Sequence, residues 1–299
     1  MECACGKPAV FERKFEGRSL CKTHFIRTFE NKVRRTINRN KMVQTGDKIA
    51  VGLSGGKDSS TLLYLLNKLC KDRKDVELFA ITVDEGIEGY RKDSIEIAKG
   101  LCKSLGIKHR ITSYKEHFGK TLDQKLKTSK DFNACTYCGV ARRWSLNKMA
   151  KDLGATKLAV GHNLDDETQS ILMDYLKGDL TRLIRLDPQL KPKDEFVRRI
   201  KPLRGVAEKE VGLFAFLKGL KIQEDECPYS SGMRFEIRDF LNKMENERPG
   251  TKLNILETFE KILPALKETI KTEEGQIFSC EKCGEPSSSK ICKTCEFWA

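Results

Sequence analysis

Twelve cysteines carry most of the readable chemistry of this 299-residue chain, and they fall into groups. Near the C-terminus, Cys280-x-x-Cys283 and Cys292-x-x-Cys295 are two pairs joined by a Gly/Pro/Ser-rich turn. Four thiolates at this spacing are the ligand set of structural zinc. Near the N-terminus, Cys3, Cys5, Cys21 and His24 form a second candidate zinc set. Cys21-x-x-His24 has ligand spacing and Cys3-x-Cys5 is a tight knuckle; the other reading of His24 is a surface histidine on a helix that begins near it. Cys70 follows Leu66 by four and Leu63 by seven, and Cys102 follows Ala98 and Ile95 in the same rhythm. Both therefore read as small core hydrophobes. Cys135, Cys138 and Cys227 remain. A single C-x-x-C pair supplies two ligands, so something else must complete that site.

A second cluster of chemistry is "VGLSGGKDSSTLL" at a strand-to-helix junction. Gly55 and Gly56 let the backbone turn tightly and approach a ligand closely. The amides of the loop and of the first helical turn then converge on one anion, helped by the helix dipole. Ser54, Ser59 and Ser60 add hydroxyls, Lys57 adds positive charge, and Asp58 could hold Mg2+. The pattern differs from G-x-x-x-x-G-K-[ST], so ATP chemistry other than γ-phosphate transfer is indicated. The alternative is a glycine turn with no ligand.

Alternating elements must position these residues. Short apolar runs at 47–54, 76–86, 108–114 and 156–163, with a further one near 197–203, read as strands. Helical periodicity separates them at 59–72, 93–106, 139–153 and 165–179, and three more helices are expected at about 207–219, 231–246 and 252–272. Residues 186–196 read as a loop. Strands joined by helical crossovers make an α/β fold with a parallel sheet covered on both faces. Gly161, Asp165 and Asp166 follow the fourth strand, where open sheets gather ligand groups. Either carboxylate could instead complement a helix N-terminus. His162 suits a hydrogen-bonding role in that loop.

The net charge is +13, with 56 basic residues against 43 acidic ones. A polyanion is the natural partner, because Lys and Arg that neutralise phosphates release counterions. The basic segments 31–41 and 198–204, and a helix over 27–41, are candidate contacts; a merely solvated face is the alternative. No apolar run is long enough to span a bilayer, and the first residues lack the apolar stretch of a signal peptide. A cytoplasmic, non-membrane protein in a reducing compartment is expected, which favours metal ligands over disulfides.

"SGGKDS" (54–59), "CTYCG" (135–139), "GHNLDDE" (161–167) and "ECPYSS" (226–231), flanked by cysteine-rich ends, resemble the tRNA 2-thiouridine synthetases, a group within the PP-loop ATP pyrophosphatases. The resemblance spans nearly the whole chain. It implies a PP-loop catalytic domain at 31–272 between an N-terminal zinc knuckle at 1–30 and a C-terminal zinc ribbon at 273–299. It implies ATP-dependent adenylation of the uridine C2 oxygen on tRNA, then sulfur transfer. The resembled enzymes use a [4Fe-4S] cluster with one open iron, which here would sit on Cys135, Cys138 and Cys227. A persulfide on Cys138 or Cys227, or a structural role for all three, is the alternative. Cys138 is placed at the start of its helix, where the dipole, Arg142 and Arg143 favour thiolate. Adenine would lie near Ile81 to Val83, Lys57 and Arg142 would stabilise phosphates, and Asp166 is favoured as general base. Uridine 34 is favoured over uridine 54. A ubiquitin-like thiocarboxylate protein or free sulfide would be the donor, and a homodimer the assembly. Cys3-x-Cys5 is one residue shorter than the C-x-x-C expected there. A PP-loop amide ligase would leave the three cysteines unexplained, and a zinc-ribbon RNA adaptor would leave SGGKDS unexplained.

Overall fold

The computed structural model describes residues 1–129, 131–190, 196–230, 232–270, 278–287 and 289–298. Five parallel strands form the central sheet: β1 (Lys48–Gly52), β2 (Glu77–Asp84), β3 (Lys108–Ser113), β4 (Lys157–Ala159) and β5 (Arg198–Ile200), in the order β3-β2-β1-β4-β5. Ile49, Ala50 and Val51 are all fully buried, the run expected of a parallel strand covered on both faces. Strand order reverses between β1 and β4. The crevice beyond their carboxyl ends is therefore the switch point where such sheets bind ligands.

Helix α1 (Lys22–Arg39) buries Phe25, Phe29, Val33 and Ile37, one residue every four. The opposite face exposes Arg27, Arg34, Arg35 and Arg39. The expected boundary at 30/31 falls inside this helix. Phe29 stacks on Phe214 of a later helix, ring centroids 4.4 Å apart, so α1 is part of the main core. Helices α2 (Lys57–Cys70) and α3 (Arg91–Leu105) follow β1 and β2. Cys70 and Cys102 are buried in them, and burial pushes the Cys102 thiol up to about 11.

Helix α4 (Ala134–Asp152) begins earlier than the expected 139, because Asn133 caps it by accepting from the Thr136 amide at 2.9 Å. Cys135 and Cys138 therefore both lie within its first turns. Helix α5 (Leu164–Leu176) follows β4, and α6 (Glu208–Leu217), α7 (Met233–Glu247) and α8 (Thr251–Thr269) complete the main body. Short helices at Tyr114–Phe118, Leu122–Thr128 and Leu180–Ile184 were not expected from periodicity. Parts of the expected loop at 186–196, Ser231, the end of the last expected helix and the boundary at 272/273 lie outside the described residues. Among the described residues no helix is long and apolar enough to cross a membrane.

Candidate active site

The SGGKDS loop is a closed turn at the end of β1. Ser59 Oγ accepts from the Ser54 amide at 3.1 Å and lies 3.0 Å from Ser54 Oγ. Gly55 has φ +89°, and a Cβ there would meet Ser94 O at 2.3 Å, so only glycine fits. Gly56 precedes the first turn of α2, and Ser60 is buried just inside it. Lys57 Nζ reaches Glu208 Oε1 at 2.7 Å and Asp58 Oδ2 at 3.1 Å. Asp58 Oδ1 accepts from Asn163 Nδ2 at 2.9 Å, and burial pushes its carboxyl up. The loop after β4 closes the other side of the crevice. A Cβ on Gly161 would come within 3.0 Å of the Ser59 amide.

Asp165 and Asp166 have different surroundings. Asp165 is buried, with one oxygen on Lys252 Nζ and the other accepting from the Glu208 amide at 2.8 Å. It braces α5 against α6 and α8. Asp166 shares a reciprocal cap with Asn163, both bonds 3.1 Å, and faces Arg234 Nη1 at 3.5 Å. Burial pushes the Asp166 carboxyl up. His162 is exposed beside them. The side chains of Ile81 and Val83 are buried, and the Ile81 carbonyl accepts from the Leu53 amide at 2.8 Å.

The three remaining cysteines gather at the same edge of the sheet. Cys138 is buried in a cluster with Val83, Tyr114, Tyr137 and Trp298, and Cys227 and Tyr229 pack against that cluster. Cys135 is exposed, its Sγ 3.7 Å from the Tyr229 carbonyl oxygen. Burial pushes the Cys138 thiol up, while the Arg142 guanidinium pulls it back. Arg142 Nη2 donates to Cys138 Sγ at 3.1 Å and Nε donates to Glu85 Oε1 at 2.9 Å. Arg142 thus lies against Cys138, as expected of a group that favours its thiolate, and the bonds it makes here are to Cys138 and Glu85.

Two physical links join the cysteines to the loop. Glu85 Oε2 pairs with Arg91 Nε at 2.5 Å, and Arg91 Nη1 donates to Ser54 O at 3.1 Å. A charged relay therefore runs from Cys138 through Arg142, Glu85 and Arg91 to the first residue of the SGGKDS loop. The second link is the chain leading to Cys227. The Gln223 amide donates to Gly55 O at 3.0 Å, and Gln223 Nε2 donates to Tyr90 O at 2.7 Å. Four residues later the chain reaches Cys227, which packs against the cluster that contains Cys138.

The terminal groups are built differently. Cys3, Cys5, Cys21 and His24 place all four ligand atoms within 4.8 Å of one another, as do Cys280, Cys283, Cys292 and Cys295. Cys5 and Cys21 sulfurs are 3.7 Å apart, and so are those of Cys283 and Cys292. A tetrahedron with bonds of about 2.3 Å has edges of roughly 3.8 Å. His24 Nδ1 is 3.1 Å from Cys3 Sγ, and this contact with the Cys21 and Cys5 amides brings the Cys3 thiol down to about 6. Both donor sets fit zinc. Among the described residues the central trio does not meet that single-ion span. A cubane spreads its cysteine sulfurs more widely, and three thiolates without nitrogen or oxygen ligands are donors that suit iron–sulfur chemistry.

A family model described as a PP-loop domain matches residues 25–245. The tRNA 2-thiolation protein NcsA of Haloferax volcanii is 38% identical over 312 residues, covering 99% of this chain and 97% of that one. The chain belongs to the tRNA 2-thiolation family of PP-loop proteins, a family of ATP-using enzymes. The structure of the U34-tRNA thiolase NcsA from Methanococcus maripaludis with its [4Fe-4S] cluster superposes with TM-score 0.85 at 39% identity, covering 99% of this chain and 95% of that one. A tRNA-5-methyluridine(54) 2-sulfurtransferase of Pyrococcus horikoshii is 36% identical over 300 residues, covering 100% and 94%.

Within this thiolation-family chain, sequence reasoning missed Glu85, Arg91, Tyr114, Gln223 and Trp298. The expected basic surface at 198–204 is corrected in part: Arg204 is buried against Glu167 and Glu260, and Lys201 pairs with Glu167 at 2.6 Å. A buried carboxylate draws in its counter-charges, which removes them from the surface.

Proposed function

We propose that the protein is a tRNA 2-thiolase that adenylates the C2 oxygen of uridine 34 with ATP and replaces AMP with sulfur. The observation that carries this reading is the strap from Gln223, bonded to the SGGKDS loop, to Cys227, which packs against the cluster that holds Cys138. It holds a nucleotide loop and three cysteines at one edge of one sheet. An amide ligase needs no such cysteines, and an RNA adaptor needs no such loop.

Loop amides, Ser54, Ser59 and Ser60 cradle the phosphates, and Asp58 holds Mg2+. Lys57, paired with Glu208 and Asp58, turns to the phosphates when ATP enters. Adenine lies along the carboxyl end of β2, near Ile81 to Val83. The uridine C2 oxygen attacks the α-phosphorus and pyrophosphate leaves. Asp166, whose raised carboxyl suits proton exchange, takes the N3 proton. Hydrosulfide then adds to C2, the C2–O bond breaks, and AMP departs with the original oxygen. The sulfhydryl proton ends on N3. Adenylation is needed because a carbonyl oxygen is a poor leaving group and AMP a good one.

Cys135, Cys138 and Cys227 would hold a [4Fe-4S] cluster, which would supply the iron–sulfur chemistry for delivering sulfide. Arg142 balances thiolate charge at Cys138. Free sulfide or a ubiquitin-like thiocarboxylate protein delivers the sulfur. The zinc modules at both ends are structural, and the exposed arginines of α1 meet tRNA phosphates. The protein works in the cytoplasm.

Nucleoside mass analysis of tRNA from cells lacking the protein tests the base: 2-thiouridine is lost at position 34. Loss at 54 instead moves the target to the T-loop, and loss at neither overturns the reading. Anaerobically purified protein that is fully active without iron replaces the cluster with a persulfide on Cys138 or Cys227.

A further inference from the structure

The C-terminal cysteine module touches the central cysteine site directly. Its last helix, α9 (Lys293–Trp298), contains Cys295, one of the four clustered ligands, and ends three residues later at Trp298. That helix packs on α4 at the turn carrying Cys135 and Cys138. Trp298 is 2% exposed and donates its indole N–H to the Tyr137 carbonyl, the residue just before Cys138, at 3.2 Å. Its ring meets Tyr114 edge-on, centroids 4.9 Å apart at 75°. Phe297 meets Tyr137 in the same way at 5.7 Å.

Tyr114 carries the contact to sulfur. It is fully buried, donates to the Cys138 carbonyl at 2.7 Å, and holds its hydroxyl 3.4 Å from Cys138 Sγ. The Tyr114 ring is fixed by Trp298 on one side and by Phe118, at 5.8 Å, on another. Ordinary core packing would account for the rings. Beyond the rings, two polar handles, an indole N–H and a phenol, reach consecutive residues of the cysteine turn, and the phenol also lies beside the Cys138 sulfur. Loss of a group that orients a metal ligand from outside typically costs about 10- to 100-fold in metal affinity.

We propose that Trp298 and Tyr114 are positioning residues of the three-cysteine site, through which the last helix of the C-terminal module governs retention of iron at Cys138. The inference rests on the cluster reading above.

The test uses the full chain as wild type, Trp298→Ala, Trp298→Phe and Tyr114→Phe, loaded anaerobically with iron and sulfide. Iron and zinc per chain, the rate of iron release to a chelator, and the paramagnetic resonance spectrum of the reduced cluster are measured. Trp298→Ala releases iron about tenfold faster than wild type, with an altered spectrum and unchanged zinc. Trp298→Phe, which keeps a ring but not the N–H, falls between. Tyr114→Phe removes one hydroxyl only and shows the same direction, so it decides the matter if Trp298→Ala loses zinc or folds poorly. Wild-type release rates and spectra in both Trp298→Phe and Tyr114→Phe overturn the proposal. If the wild type takes up no iron, the cluster reading falls. Positioning is then read from alkylation of Cys138 in the metal-free central site, followed by mass spectrometry. Tyr114→Phe and Trp298→Phe must accelerate it, and unchanged rates overturn the proposal there too.

Discussion

The terminal cysteine groups and the central one use the same side chain to opposite ends. Each terminal group draws four ligands from a short stretch of chain and closes them to within 4.8 Å. The central group draws three cysteines from positions 135, 138 and 227 and is finished by other elements: Arg142, Glu85, Tyr114 and the Gln223 strap. Closed local sets are self-sufficient and suit structure. An open set with long-range support suits chemistry, because the vacant position must stay vacant while the ligands stay fixed. Perturbing the first kind should alter folding and docking. Perturbing the second should alter turnover and leave the fold in place.

Cys138→Ser is the harshest trial of that contrast. Sulfur transfer should fall below detection while ATP-dependent pyrophosphate release and both zinc ions persist. Release of pyrophosphate is assayed with tRNA present, and zinc by elemental analysis. Loss of zinc or of the cooperative unfolding transition would mean that the central cysteines are structural after all.

Gly55→Ala attacks the loop that the central site leans on. Positive φ and the 2.3 Å approach to Ser94 O leave no room for a Cβ, so the turn must open. ATP binding, followed by calorimetry, should weaken by at least about a hundredfold, again with full zinc content. A near-normal affinity would place the nucleotide elsewhere.

Glu85→Gln comes next in size. It strips the charge that Arg91 and Arg142 share across the relay. Breaking a buried pair of this kind costs about 3 kcal/mol, and Arg142 loses the anchor that holds it on Cys138. Urea unfolding reads the first effect. The rate of the sulfur step at saturating ATP reads the second, and it should drop more than the rate of pyrophosphate release. Equal drops in both would make the relay a stability device only.

These residues also show where the sequence was readable. Parallel strands buried on both faces appear as apolar runs, so 47–54 and 76–86 announced themselves, and the SGGKDS loop carried its own geometry in two glycines. The three cysteines could be isolated because the other nine had local explanations. Glu85 and Arg91 had no such mark: they sit in "DEGIEGYRK", which reads as the end of a strand, and they matter only because β1 and β2 lie side by side. Trp298 reads as tail sequence until α9 is laid on α4. The start of α4 was legible in principle, since Asn133 three residues before Thr136 is a cap pattern.

The smallest expected effect separates the two terminal groups from each other. The C-terminal one touches the cysteine turn through Trp298. The N-terminal one meets α1 instead: Cys21 is the residue that caps this helix, and His24 lies in its first turn. Cys5 is exposed and contributes only to that cluster. Cys5→Ser should therefore release one zinc and fray the start of α1, whose exposed face carries Arg27, Arg34, Arg35 and Arg39. If those arginines meet phosphate, KM for tRNA rises severalfold with kcat unchanged, and the deficit narrows as salt is raised, because the variant releases fewer counterions on binding and so has the shallower salt dependence. Steady-state kinetics at two ionic strengths measures this. A fall in kcat with KM intact would show that the N-terminal module also reaches the sulfur site, and the division of labour between the two ends would have to be redrawn.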